Sequence, residues 1–311
     1  MKYKNILDAI GRTPLVEIQN MSPRKSVRLF AKLEGQNPTG SLKDRIAKYM
    51  IEKAEAEGKL TRDRTILEPT SGNTGISLAM IGGLKGYKVK VVMPKNVSEE
   101  RTQLIRIFGG SIVYTDEQRG TNYAIEVAKE LAKKDESYFM PYQYGNEANP
   151  LAHYDTTGVE ILRDLPNVDV FVAGLGTGGA LMGIGRRLKE KNPETKVIAV
   201  VPYPEDLIQG LRSLDDGFIP PILDLSLLDS KLMVESKDAF RTTRELTERE
   251  GILAGISSGA SVCAAQRVAQ RMEKGNIVVL LADGGWRYLS TGLWTKSLGE
   301  LEGELTGKIW W

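Results

Sequence analysis

The feature that most constrains this chain is an alternation. Short apolar runs rich in β-branched residues recur from end to end, and stretches with helical spacing separate them. Residues 27–33 read as a strand and 42–57 as a helix charged on one side. Strands at 65–68 and 88–93 flank a helix at 74–85. A helix at 98–108, a strand at 111–114 and a helix at 121–133 follow. The pattern resumes with a strand at 168–173, a helix at 180–189 and a strand at 196–201. Helices at 238–250 and 258–274 and a strand at 277–281 close it. Near-continuous apolar strands joined by helical crossovers predict an α/β fold, with parallel sheets covered on both faces. At 311 residues the chain suits about two such domains. The turn-rich segment 142–150 (YQYGNEANP) is the expected change-over between them, and 202–230 is the least regular stretch, suited to a functional loop.

Composition narrows the chemistry. Lys and Arg number 42 against 40 Asp and Glu, a net charge of +2, so there is no cationic excess for a nucleic-acid backbone. The strongest apolar runs are strand-length and cannot cross a bilayer. The opening MKYKNILDAIG carries scattered charge and no apolar core of a signal, so a cytoplasmic location is expected. One cysteine, Cys263, excludes an intrachain disulfide and a cysteine-rich metal cluster. One histidine, His153, excludes multi-histidine metal sites and leaves one candidate base for a Ser-His-Asp triad. A chain so poor in catalytic side chains is expected to borrow its hard chemistry from a cofactor.

Ligands of open α/β sheets sit at the carboxyl ends of strands, so the loops there come first. Two are rich in small polar residues and run straight into helices: Pro69-Thr70-Ser71-Gly72-Asn73-Thr74-Gly75 and Gly174-Leu175-Gly176-Thr177-Gly178-Gly179. A helix N-terminus offers unpaired N–H groups and a positive dipole end, and glycine lets an anion approach closely. Two such cradles suggest ligands bearing two anionic groups. Gly174, Gly176 and Gly179 also satisfy the dinucleotide pattern G-x-G-x-x-G. The acid that should end the next strand is missing, however, because Pro202-Tyr203 follows Val201. A phosphate site without a nucleotide fits better. A third segment, Asn37-Pro38-Thr39-Gly40-Ser41-Leu42-Lys43-Asp44-Arg45, puts Lys43 in the first turn of a helix. The dipole there would lower its pKa and favour a Schiff-base nucleophile.

These loops together resemble the fold-type II pyridoxal-phosphate enzymes, in particular the cysteine synthases that use O-acetylserine or O-phosphoserine, with a type B-like character. The resemblance runs from Ile10-Gly11-Arg12-Thr13-Pro14-Leu15 through the Lys43 and Asn73 segments. It continues with His153-Tyr154-Asp155-Thr156-Thr157-Gly158, Gly255-Ile256-Ser257-Ser258-Gly259 and the tail Asp283-Gly284-Gly285-Trp286-Arg287-Tyr288-Leu289-Ser290-Thr291. It implies two doubly wound parallel-sheet domains of the tryptophan synthase β type, with the active site in the cleft between them. The smaller domain would be 35–147, and the larger 1–34 plus 148–311. Lys43 would carry pyridoxal 5′-phosphate as a Schiff base and later move the Cα proton. Asn73 would bond the 3′-oxygen of the ring. Gly176, Thr177, Gly178, Gly179 and Ala180 would hold the phosphate, although the family often has Thr where Ala180 stands. Ser257 would face the pyridine nitrogen. Thr70, Ser71, Asn73 and Thr74, with Gln143 opposite, would take the substrate carboxylate.

A serine opposite the ring nitrogen is a neutral partner and leaves a weaker electron sink, which favours β-elimination and β-replacement over transamination. The activity implied is L-cysteine synthesis from an O-activated serine and a sulfur nucleophile through an aminoacrylate. The sulfur could come from sulfide, thiosulfate or a protein thiocarboxylate. Arg212, in the irregular loop, suits a phosphate leaving group through a bidentate contact; the alternative is a surface arginine paired with Asp215 or Asp216. The family is usually homodimeric, and some members bind a serine acetyltransferase. Competing readings are cystathionine β-synthase, a serine/threonine dehydratase, or a non-catalytic binding partner built on the same fold. His153 is expected to be a structural hydrogen-bonder and Cys263 a packing residue. The apolar tail Gly307-Lys308-Ile309-Trp310-Trp311 is expected at the active-site mouth, in a partner's groove or packed on the body.

Overall fold

A computed structural model describes residues 2–70, 72–204, 206, 208–297 and 299–301. Two sheets organise them. The larger contains β1 (Leu15–Glu17), β2 (Val27–Leu33), β7 (Val170–Gly174), β8 (Lys196–Pro202), β9 (Ser230–Val234) and β10 (Gly275–Leu281), in the order β1-β2-β10-β7-β8-β9. The smaller contains β3 (Thr65–Pro69), β4 (Lys88–Pro94), β5 (Ser111–Thr115) and β6 (Tyr138–Phe139), in the order β5-β4-β3-β6. Neighbours are parallel throughout except β1, which pairs antiparallel with β2 and closes that edge with a three-residue strand.

Helices cover both faces of each sheet. Among the described residues these are α1 (Lys43–Ala56), α2 (Asn73–Leu84), α3 (Glu99–Ile107), α4 (Gly120–Lys134), α5 (Ala148–Ala152), α6 (Gly158–Asp164), α7 (Gly179–Lys191), α8 (Ser236–Glu250) and α9 (Ile256–Ala269). One turn of wider π-helix, His153–Thr157, joins α5 to α6. On the small sheet, Ala47, Ile51, Ile76 and Ile81 of α1 and α2 pack on Ile66, Val89 and Val91; Ala124 and Ala128 of α4 cover Leu67 and Val92. On the large sheet, α8 and α9 cover the face of Leu29, Val172 and Val279, and α7 covers Phe171, Val197 and Val278. Alternate residues of each strand thus face opposite cores, which is why the strands read as unbroken apolar runs. The expected α/β fold is the observed one. Cys263 is buried on α9, as expected.

Short elements carry less signal and escaped the sequence. The two-residue β6, the three-residue β1 and the largely exposed β9 lack an apolar run, and 148–164 is helical where no helix was expected. The change-over at 142–150 contains Tyr142, which holds a left-handed backbone (φ +55°).

A buried ion cluster locks α1 to the large sheet. Arg45 donates to Glu34 (Nε to Oε2, 2.6 Å) and to Glu160 (Nη1 to Oε1, 2.7 Å), and Lys32 pairs with Glu160 at 2.7 Å. The Arg45 and Lys32 charges hold the Glu160 carboxyl down at about 2 against the opposing effect of burial. Lys43 stands two residues before Arg45, so the cluster fixes where the lysine emerges.

Candidate active site

The carboxyl ends of β3, β7 and β10 open on one cleft. It is walled by the two glycine-rich turns and by the first turn of α1. α2 begins at Asn73 after Gly72, against which the Arg101 side chain packs so closely that a Cβ there would lie 2.6 Å from Arg101 Cδ. The Thr74 hydroxyl donates to Gln143 Oε1 at 2.7 Å, which joins the turn to the change-over segment. α7 begins at Gly179 after Gly178, whose φ of +87° is a left-handed conformation that favours glycine. A Cβ on Gly179 would fall 2.0 Å from Asn149 Oδ1. Asn149 Nδ2 donates to Thr177 Oγ1 at 3.0 Å and to the Gln143 carbonyl at 2.8 Å, so one asparagine braces both turns.

Lys43, Asn73, Gly176, Thr177, Gly178, Ala180 and Ser257 all line the cleft, as do Thr70, Thr74, Gln143 and Arg212. Gly179 lies just behind the wall, buried against Asn149. Ser71 and the tail 307–311 lie outside the described residues.

Among the described residues Lys43 Nζ makes no hydrogen bond and no ion pair. Enclosure pushes its pKa down to about 8, and the Asp283 carboxylate pulls the other way. The direction matches the expectation, and loss of water is its largest cause. Arg212 is only 6% exposed; its Nη1 donates to Asn122 Oδ1 at 2.8 Å and its guanidinium sits 4.8 Å from the Phe218 ring centre. That placement overturns the surface-arginine alternative.

Several cleft residues were not foreseen. Asp283 is buried; its Oδ2 accepts from Asn73 Nδ2 and from the Tyr288 hydroxyl, both at 2.7 Å, while Oδ1 has no partner among the described residues. His153 bonds Thr157 through Nδ1 at 2.9 Å, the structural role expected of it. Its Nε2, however, is buried without a partner in a residue that lines the cleft. Burial pushes the His153 pKa down to about 3, so the ring is neutral and cannot serve as a cation. Arg101 and Asn149 also line the cleft. These residues lie far from the glycine turns in sequence, and only the periodic exposure of α3 and the polar run before α5 hinted at them.

The donor set fits an anionic aldehyde coenzyme. A phosphate dianion is satisfied by N–H groups at a helix start, and the free amine of Lys43 stands on the same cleft. No group of three or more metal-ligating side chains occurs among the described residues, and no described helix is long and apolar enough to cross a membrane.

Comparison with known proteins agrees with this geometry. Residues 6–283 match the family described as pyridoxal-phosphate dependent enzyme. A curated cysteine synthase of Staphylococcus aureus is 44% identical over 301 residues, covering 94% of this chain and 97% of that protein. Two solved structures are closely similar. An O-ureido-L-serine-bound variant of O-ureido-L-serine synthase superposes with a TM-score of 0.90 at 38% identity, over 98% of this chain and 99% of that one. A cysteine synthase (OASS) from Entamoeba histolytica gives 0.89 at 34% identity, over 98% and 96%.

Proposed function

This chain belongs to the pyridoxal-phosphate dependent enzymes and uses that cofactor, and on that premise we propose that it makes L-cysteine by replacing the β-substituent of an O-activated serine with a sulfur nucleophile. The observation that carries the reading is one cleft holding two glycine–threonine helix N-termini and an unpaired lysine amine.

Pyridoxal 5′-phosphate, when bound, supplies an aldehyde carbon for an amine and a conjugated ring that accepts the electron pair left at a substrate Cα. Lys43 Nζ would hold the aldehyde carbon of that group, and the same nitrogen would serve as the acceptor of the substrate's α-proton. Its pKa near 8 keeps a useful share of neutral amine at neutral pH. Gly176, Thr177, Gly178, Gly179 and Ala180 would hold the phosphate through the start of α7. Ser257, on the first turn of α9, would offer the ring nitrogen a neutral hydroxyl. Asn73 donates one amide hydrogen to Asp283, and the other would serve the ring oxygen. The second helix start, with Thr70, Ser71, Asn73, Thr74 and Gln143, takes the α-carboxylate and so aims the Cα hydrogen. Arg212, buried at the cleft wall, would stabilise a phosphate leaving group, which supports reading O-phosphoserine as a substrate beside O-acetylserine.

We read residues 35–147 as the smaller domain and 1–34 with 148–311 as the larger. The protein works in the cytoplasm as a homodimer on the same reading. Product analysis tests the function: each activated serine is offered sulfide in parallel, and L-cysteine is expected. Lys43→Ala should lose both the visible absorbance of the holoenzyme and turnover. Pyruvate without L-cysteine would move the assignment to a β-eliminating dehydratase, and an absorbing protein inert to both substrates would make it a binding partner.

A further inference from the structure

Glu68, at the carboxyl end of β3, is fully buried, yet among the described residues it pairs with no cation. Its two oxygens accept from two successive backbone N–H groups: Oε2 from Tyr142 at 2.7 Å and Oε1 from Gln143 at 2.9 Å. A carboxyl group taken out of water without a counter-charge is unfavourable, and a strand-end position packed in a core would be easier to fill with an apolar side chain. Tyr142 adds a second unfavourable feature, a left-handed backbone on a residue with a bulky side chain. Both fall on the same two-residue turn.

What the turn delivers is the Gln143 side chain. Gln143 Oε1 accepts from the Thr74 hydroxyl at 2.7 Å, and the Gln143 carbonyl accepts from Asn149, which also holds Thr177. Two adjacent N–H groups that point the same way need an acceptor with two oxygens. Among side chains of this length only a carboxyl group, ionised or protonated, has two oxygens that can each accept; an amide offers one oxygen and a clashing NH₂. We infer that Glu68 is a positioning residue for the amino-acid substrate: by fixing the Tyr142–Gln143 backbone it holds the Gln143 amide against Thr74, at the helix start that receives the α-carboxylate. The inference rests on the reading of Thr70, Asn73, Thr74 and Gln143 as the carboxylate site. Glu68 lines no part of the cleft and touches no reacting atom.

The test is steady-state kinetics of the holoenzyme with O-acetylserine and sulfide. In Glu68→Gln the KM for O-acetylserine should rise about tenfold while kcat falls no more than about threefold, since binding of the carboxylate is shared by ground and transition states. Gln143→Ala should raise KM to a similar extent. If Glu68 acts through Gln143, the double variant is no worse than Gln143→Ala alone. A KM unmoved in folded Glu68→Gln overturns the inference, and so do fold-changes that multiply in the double variant. Where Glu68→Gln does not fold, Glu68→Asp decides. It keeps both oxygens on a shorter stem and should raise KM about threefold with kcat retained; a wild-type KM there overturns the inference. Wild-type protein that turns over no activated serine would instead defeat the cysteine-synthase reading, so the two failures are distinct.

Discussion

Asn73 donates to Asp283 at 2.7 Å, which ties the first residue of α2 to the segment that leaves β10. The contact is held from both sides, since Arg287 donates to Asn73 Oδ1 at 2.8 Å and Tyr288 donates to Asp283. The remaining Asp283 oxygen is buried and unpartnered, and its charge is what opposes the loss of the Lys43 proton. Asp283→Asn removes the charge and leaves burial unopposed. The Lys43 pKa is therefore expected to fall further below about 8 in the variant. The pH dependence of imine formation between apoprotein and pyridoxal phosphate reads it directly, and a value equal to wild type would show that Asp283 does not act on the amine.

Glu68 makes stability depend on pH with a definite sign. Burial raises its carboxyl from an ordinary 4.5 to about 8 in the folded protein, so the folded state holds a proton that the unfolded chain releases. The stabilisation is complete below pH 4.5 and is lost as pH climbs through 8. Glu68→Gln should flatten this part of the curve. Denaturant midpoints of wild type and variant, taken from pH 5 to 9, should differ in slope across that window and run parallel above it.

The Arg45 cluster is a matter of stability first. Side-chain exposure is 2% for Arg45 and 0% for Glu34, so Arg45→Leu leaves Glu34 in a dry interior without its cation, while Glu160 keeps Lys32. Removing one partner of a buried pair costs about 3–5 kcal/mol. Thermal unfolding should show a fall of roughly 5–8 °C for a chain of this size. Glu160→Gln keeps shape and one acceptor and should cost less. A shift under 2 °C in Arg45→Leu would mean that water reaches the cluster.

The sequence made some of this legible and hid the rest, for physical reasons. Strands buried on both faces must be apolar at every position, so 27–33 and 277–281 could be read directly. Helix starts that bind anions need glycine, so the turns before Asn73 and Gly179 announced themselves, and Lys43 was found through its neighbours. Asp283, His153 and Asn149 were not legible as cleft residues, because what places them is strand order. β10 sits beside β2 and β7, and α5 packs against α1 and α7. Glu68 was read as the last residue of a strand, since nothing local says that a backbone turn more than seventy residues on will fold over its carboxyl group.

Arg212 offers the sharpest separation between substrates. Its guanidinium is buried between Asn122, which takes a hydrogen bond from Nη1, and the rings of Tyr144 and Phe218, in a residue that lines the cleft. A leaving phosphate carries two negative charges where a leaving acetate carries one, and a planar fork bonds two phosphate oxygens at once. A hydrogen bond to a charged group contributes roughly 1.5–3 kcal/mol, a factor of about 10 to 100. Arg212→Ala should therefore lower kcat/KM for O-phosphoserine by about that factor and change O-acetylserine by less than threefold. Arg212→Lys should recover only part of the loss, because an ammonium restores charge without the fork. Equal losses on both substrates would make Arg212 a brace for the 210–218 loop, and the phosphate preference would then have to arise elsewhere in the cleft.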